Sequence, residues 1–295
     1  MLIAITGATG FLGRRLCSEL EARGHSLARL SRRPPRERNW FAWDPERSAP
    51  PEDAFRDADA VIHLAGEPVA QRWTSEVKGR IRSSRVAATE ALVQTLSVME
   101  RPPRTLISAS AIGYYGSRGD EILTEDSPPG AGFLPEVCRE WEAAAEGAER
   151  AGLRVVRVRI GVVLHPDGGA LKQMLPPFRL GLGGPIAGGQ AWMSWIHLDD
   201  LTALLAWAVE SETVSGAVNA TAPNPVRNAQ FTRELGAALR RPAVFPVPGF
   251  ALKLLYGEMA EVILGSARVR PEAAEQRGFC FRWPDLHAAL QNLLR

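Results

Sequence analysis

Residues 3–13 read Ile-Ala-Ile-Thr-Gly-Ala-Thr-Gly-Phe-Leu-Gly, so Gly7, Gly10 and Gly13 close a short apolar run with a spacing a phosphate group can use. The first glycine permits a tight turn, the second lets the backbone approach a pyrophosphate, and the third lets a helix lie directly on a strand. Arg14 to Arg23 then reads as a helix, whose N-terminal N–H groups would face the phosphates. Gly7, Thr9, Gly10, Phe11, Leu12 and Gly13 are therefore candidate contacts to a dinucleotide.

The identity of that dinucleotide is written about 20 residues further on, where an acid normally grips the ribose 2′-hydroxyl of NAD. No Asp or Glu occurs between Ala22 and Arg36, and the second apolar run, Ser26 to Leu30, ends in Ser31-Arg32-Arg33. A guanidinium fork matches a 2′-phosphate in both charge and hydrogen-bond geometry. The reading is NADP(H), with Ser31, Arg32 and Arg33 as its contacts. The alternative is that Arg29, Arg32, Arg33, Arg36 and Arg38 form a solvated loop that binds nothing.

The elements needed to position such a site are present. Strand-like runs recur at Leu2–Ile5, Ser26–Leu30, Ala60–Leu64, Thr105–Ser108 and Arg154–Ile160, with helical patterns at Phe11–Arg23, Ser83–Glu100 and Pro135–Ala151. That alternation predicts βαβ units and a parallel sheet covered on both faces. Pro34, Pro35, Pro50 and Pro51 bracket a segment with Trp40, Phe41 and Trp43 that reads as an irregular loop or short hairpin. After Gly161 the chain becomes rich in Gly and Pro. A strand is expected at Ser194–His197, then a helix Leu201–Glu210 capped by Asp199-Asp200, a helix at Phe250–Leu264 and a final helix ending at Leu294.

With 295 residues, 45% hydrophobic and 23% charged, the chain has the composition of an ordinary folded protein, and a net charge of +2 gives no footprint for nucleic acid. Cys17, Cys138 and Cys280 are scattered, so neither a disulfide framework nor a metal site is expected, and a cytoplasmic location follows from that usage. No run long enough to span a bilayer occurs, and the chain starts directly on a strand, so neither membrane attachment nor a leader is expected.

Four phrases in this order carry a family likeness: Thr6-Gly-Ala-Thr-Gly-Phe-Leu-Gly13, His63-Leu-Ala-Gly66, Ser108-Ala-Ser-Ala-Ile-Gly-Tyr-Tyr-Gly116 and Trp195-Ile-His-Leu-Asp-Asp200. Together they resemble the extended, epimerase-like branch of the short-chain dehydrogenase/reductase superfamily over nearly the whole chain. Leu64-Ala-Gly-Glu-Pro68, Arg72-Trp73, Ser84-Arg85, Met193-Ser-Trp-Ile-His197, Gly257-Glu-Met-Ala260 and Gly278–Pro284 are similar to the "epimerase family protein" group, with its C-terminal domain of unknown function. The resemblance implies an α/β Rossmann fold, a doubly wound parallel sheet with helices on both faces. It places an NADP-binding domain at 1–165 together with about 195–225. A smaller, discontinuous substrate-facing domain takes 166–194 and 226–295, with 246–295 as the family-specific segment. It also puts Ala65 and Gly66 beneath the adenosine and pyrophosphate; a simple strand-ending turn is the other reading.

The superfamily's Tyr-x-x-x-Lys pair is absent. Four residues beyond Tyr114, Tyr115 and Tyr256 stand Arg118, Gly119 and Ala260. Counting along the family pattern from Ser110 reaches Leu134-Pro-Glu-Val-Cys-Arg139, which leaves Cys138 or Arg139 in the lysine's place. Arg139 would hold a ribose hydroxyl but is no acid near neutrality. The candidate catalytic residues are Ser110, Tyr114, Tyr115 and Glu136, and His197 reads as a packed or capping histidine.

On the substrate side, the resemblance implies Glu67, Arg72, Trp73, Arg85, Gln190, Trp192 and Trp195, where aromatic faces and arginines suit a ring bearing anionic groups. The tryptophans read nearly as well as clamps between the two domains. The expected function is that of an NADP(H)-dependent oxidoreductase or nucleotide-sugar epimerase-like enzyme acting on a small, sugar-nucleotide-like molecule, and a homodimer stays open. The alternative is a non-catalytic NADP(H)-sensing or scaffold protein, related to cell division.

Overall fold

The apolar runs of the N-terminal half pair as parallel strands because both of their faces are apolar. Ile3 and Ile5 face one way and Ala4 the other, as do Ile62 against Val61 and Ile107 against Leu106. The computed structural model describes all 295 residues. Its first half runs β1 (Leu2–Thr6), α1 (Phe11–Ala22), β2 (Ser26–Ser31), β3 (Trp40–Ala42), β4 (Ala60–His63), α2 (Ser75–Ser83), α3 (Val86–Val98), β5 (Thr105–Ala111), β6 (Ile122–Leu123), α4 (Phe133–Glu146) and β7 (Arg154–Ile160). The second half adds β8 (Val162–His165), α5 (Gly169–Arg179), β9 (Trp192–Met193), β10 (Trp195–His197), α6 (Leu198–Glu210), β11 (Gly216–Ala220), β12 (Val226–Arg227), α7 (Asn228–Leu239), α8 (Gly249–Tyr256), α9 (Ala260–Leu264), β13 (Arg268–Val269), α10 (Glu272–Gln276) and α11 (Leu286–Leu294).

Seven strands form one parallel sheet in the order β11-β7-β5-β4-β1-β2-β3. The order reverses between β1 and β4, which opens a crevice at their carboxyl ends. α1 and α6 bury one face of the sheet, and α3 and the end of α4 bury the other. A separate core gathers α5, α7 and α11 around Leu164 and Trp195. The strand β11 and the edge strand β3 were not foreseen: the Trp40–Ala42 segment extends the sheet instead of forming a loop or hairpin. The expected helix 250–264 breaks at Gly257, where φ is +61°.

At the reversal point one hydroxyl ties the two central strands. The Thr6 Oγ1 accepts from the backbone N–H groups of Leu64 (3.2 Å) and Ala65 (3.3 Å), so its own proton is donated to His63 Nδ1, 2.7 Å away. That assignment makes His63 the Nε2–H tautomer, and burial holds its pKa down from 6.5 to about 4.

A second buried network joins α4, β5, β7 and β11. The Arg159 guanidinium donates to both carboxylate oxygens of Glu142 at 2.8 Å and to the Tyr115 hydroxyl at 2.8 Å. Ser110 Oγ donates to Glu142 Oε1 (2.7 Å), and the Tyr115 hydroxyl donates to Asn219 Oδ1 (2.7 Å). On α6 the cap is His197, whose Nδ1 accepts from the Asp199 N–H (3.0 Å). Asp199 and Asp200 were expected to cap and do not. Asp199 instead pairs with Arg15, while Asp200 accepts from the N–H groups of Arg282 and Trp283 and so anchors the tail.

Two outcomes test these ties. Glu142→Ala leaves Arg159 charged and unpaired in the core, so it should cost about 3–5 kcal/mol in chemical denaturation, whereas the double replacement Glu142→Met, Arg159→Leu recovers most of it. A loss below about 1 kcal/mol for the single variant would show that the network adds nothing. For His63, the unfolded chain binds a proton near pH 6.5 and the folded chain only near pH 4. Its contribution is therefore complete above the first value and lost as pH falls toward the second, on the order of 3 kcal/mol at about 1.4 kcal/mol per unit. Urea titrations across that window should show a flatter acid decline for His63→Gln than for the parent.

Candidate functional site

The crevice begins where β1 ends. Gly7 sits at φ +71°, and a Cβ there would lie 3.1 Å from both the Leu64 carbonyl carbon and the Ala65 nitrogen, so the loops after β1 and β4 touch. A Cβ on Gly13 would lie 2.2 Å from the Gly7 oxygen, which means that α1 rests on the turn with no room for a side chain. No side chain caps α1, and no acid stands in its first turn. The result is a backbone cradle at a positive helix end, which fits the diphosphate of a dinucleotide. Thr9 and Gly10 are exposed on its rim, Phe11 and Leu12 are half-buried, and Gly66 is exposed opposite them.

On the β2 side, Ser31 is buried and its Oγ accepts from the Arg33 N–H (3.2 Å), which shapes the turn. Arg32 and Arg33 are exposed on that turn, and neither guanidinium takes part in a salt bridge or a hydrogen bond. A cavity of about 580 Å³ between α1 and the β2–β3 edge is lined by Thr9, Arg14, Ser18, Glu21, Arg29, Glu37 and Trp40. Arg14 was missed by sequence reasoning. It follows Gly13 directly and donates to the Thr9 carbonyl at 2.7 Å, so the signal was a cation one place beyond the last glycine.

On the β5 side, the proposed chemical groups are unequally available. Ser110 and Tyr115 are enclosed and spend their hydroxyls inside the Glu142–Arg159 network, and burial pushes the Tyr115 pKa up to about 12. Tyr114 is half-buried, with its ring 3.6 Å from the Arg159 guanidinium carbon and its hydroxyl unbonded. Glu136 is exposed and lies 3.6 Å from Arg82. Arg139 is on the exposed flank of α4, one residue round from the buried Cys138, which lies with the half-buried Leu134 against Gly113.

The substrate-side residues divide in the same way. Glu67 receives a bond from Gln71, Trp73 packs on Phe133 at 5.1 Å, and Arg72 is exposed beside Gly257. Gln190 is exposed, and its carbonyl accepts from Arg227. Trp192 lies between the loop after Tyr115 and the tail: it donates from Nε1 to Asp120 (2.8 Å), with Arg227 and Arg268 4.5 and 4.4 Å from its ring. Trp195 is a correction. It is fully buried in the second core and donates to the Asn224 carbonyl, so it has no surface to offer a ligand. Arg85 is half-buried beside Gly66, with its guanidinium over the Trp141 ring at 5.3 Å.

Comparison with known proteins accords with this geometry. The chain is 41% identical over 306 residues to the Arabidopsis thaliana epimerase family protein SDR39U1 homolog, chloroplastic, covering 100% of this chain and 87% of that protein. A crystal structure of human epimerase family protein SDR39U1 (isoform 2) with NADPH superposes with a TM-score of 0.90 at 34% identity, covering 100% of this chain and 99% of that one. The nucleoside-diphosphate sugar epimerase from Corynebacterium glutamicum superposes with a TM-score of 0.82 at 39% identity, covering 100% of this chain and 58% of that one. A domain of unknown function, DUF1731, matches residues 247–293. With residues 3–220 matched by its pattern, the chain belongs to the NAD dependent epimerase/dehydratase family.

Proposed function

We propose that the chain binds NADP(H) along the β1–β4 crevice and acts as an oxidoreductase or epimerase-like enzyme on a small polar molecule of the nucleotide-sugar class. The observation that carries the cofactor is the conjunction of an uncapped glycine cradle with Ser31, Arg32 and Arg33 at the end of β2, where arginines stand in place of the acid that grips a free ribose 2′-hydroxyl. The human relative crystallised with NADPH supports the same choice. The substrate class draws support from the name of the Corynebacterium glutamicum relative and from the arginines and tryptophans around the cleft.

In this reading the N–H groups at the start of α1 hold the diphosphate, Gly66 and Ala65 let the adenosine half lie flat, and Arg32 with Arg33 grips the 2′-phosphate. The cofactor supplies hydride transfer. Proton movement falls to the chain's own groups. Ser110 and Tyr115 are committed to the network and Glu136 stands out in solvent, which leaves Tyr114 as the group with a free hydroxyl. Arg72, Trp73, Gln190 and Trp192 orient the substrate.

Isothermal titration should show strong preference for NADPH over NADH, and Arg32→Ala should weaken NADPH by about 1.5–3 kcal/mol while leaving NADH unchanged. Equal binding of the two cofactors by the parent protein sinks the assignment. In a panel of nucleotide-sugar and carbonyl substrates with NADPH, Tyr114→Phe should slow turnover by roughly hundredfold or more. Unchanged turnover in that variant removes Tyr114 as the donor, and no turnover in the parent removes the enzymatic reading.

A further inference from the structure

α8 is the only helix of the protein with none of its residues buried. Pro248 leads into it and Gly257 ends it at φ +61°, while a Cβ on Gly249 would lie 3.4 Å from Leu264 of α9. The two helices thus form a short hairpin. Phe250, Lys253, Leu254 and Leu255 are exposed on α8, and Ala251, Leu252 and Tyr256 on its other side are half-buried.

Eleven large apolar side chains stand exposed on the protein, and six of them crowd into one stretch: Val244, Phe245, Phe250, Leu254, Leu255 and Val262. Phe250 and Leu254, one helical turn apart, are 74% and 78% exposed. Two more, in the turn at 180–182, join them because the Phe245 N–H donates to the Gly183 carbonyl at 3.1 Å. Side chains of this size expose roughly 100 Å² each, so together they offer on the order of 800 Å². A monomer leaves a few hundred Å² of apolar surface bare in one place, whereas each partner of a standard interface brings about 800 Å².

The charges on this face select its occupant. Lys253 on α8 and Glu261 on α9 stand exposed among the apolar groups, and neither takes part in a salt bridge, whereas the neighbouring Glu258 is taken by Lys78. A two-fold contact is isologous, so a cation and an anion on one face become two pairs when two copies meet. The other cations, Arg179, Arg240 and Arg241, gather beside the 180–182 turn, where the Arg241 Nε donates to the Arg179 carbonyl at 3.1 Å. They are exposed there, and salt screens them.

We propose that two copies of the chain meet through this face about a two-fold axis, with Phe250 and Leu254 at its centre and Lys253 of each copy against Glu261 of the other. The contact bears on the cleft. Gly257 lies beside Arg72, and the Lys78–Glu258 pair ties α2 to the turn after α8. Association therefore braces the wall of the cleft next to Arg72 in each copy.

Sedimentation equilibrium on the full chain tests this without any cofactor, so its outcome is independent of the NADP(H) reading, and thermal melts confirm that each variant is folded. The parent should be a dimer at micromolar concentration, and Phe250→Ser/Leu254→Ser should weaken association by roughly hundredfold or more. Lys253→Glu and Glu261→Lys should each weaken it roughly three- to tenfold, because each breaks two exposed pairs, and the swap Lys253→Glu/Glu261→Lys should restore it. A parent that stays monomeric at about 100 μM overturns the inference. So does a dimer indifferent to Phe250→Ser/Leu254→Ser, or a charge swap that associates no better than its single variants.

Discussion

The pairing of Glu142 with Arg159 is the constraint on which the carboxyl side of the sheet depends. Taking two charges out of water costs several kcal/mol per ion, and only near-ideal geometry with further hydrogen bonds offsets it. Here the guanidinium meets both carboxylate oxygens at 2.8 Å, and the remaining donors and acceptors are met by Ser110, Tyr115 and the Glu125 carbonyl. Burial alone would lower the arginine pKa, but its bonds to Glu142 raise it, so the pair stays ionised. The same bonds draw α4 onto β5 and β7 and fix the turn carrying Tyr114. Two hydroxyls that the sequence offers for proton chemistry, those of Ser110 and Tyr115, are thereby consumed in holding the sheet together.

Much of the architecture was legible because it is written in local pattern. Buried parallel strands are short apolar runs, and Gly7, Gly10 and Gly13 announce themselves by spacing alone. β11 was not legible: Gly-Ala-Val-Asn-Ala carries little apolar bulk, and it becomes a strand because β7 offers it an unpaired edge. β3 was hidden by its prolines and charged flanks and is set by pairing with β2. Trp195 looked like a cleft residue from its neighbours. Only the assembly of α5, α7 and α11 reveals that it is enclosed. In each case the missing information is a partner distant in sequence.

The candidate site shows the same division. The phosphate cradle and the arginines after β2 follow one another in the chain, so composition and spacing expose them. Tyr115 and Ser110 could be named from sequence, but their commitment to Glu142, Arg159 and Asn219 spans residues 110 to 219 and needs the fold. Arg85 could be recognised as a cleft residue, but not its place over the Trp141 ring, because that contact joins the start of α3 to the middle of α4.

The way α5 starts against the phosphate cradle has a wider effect. A Cβ on Gly168 would lie 2.3 Å from the Phe11 ring, so the residue just before α5 leans on the first residue of α1. Neither helix has a side-chain cap or an acid in its first turn. Two helix origins thus meet, each equivalent to roughly half a positive charge. Their sum is about one unit of fixed potential built from peptide dipoles. Unlike the arginines around it, that potential does not depend on where a side chain swings, and no change of pH within the folded range discharges it.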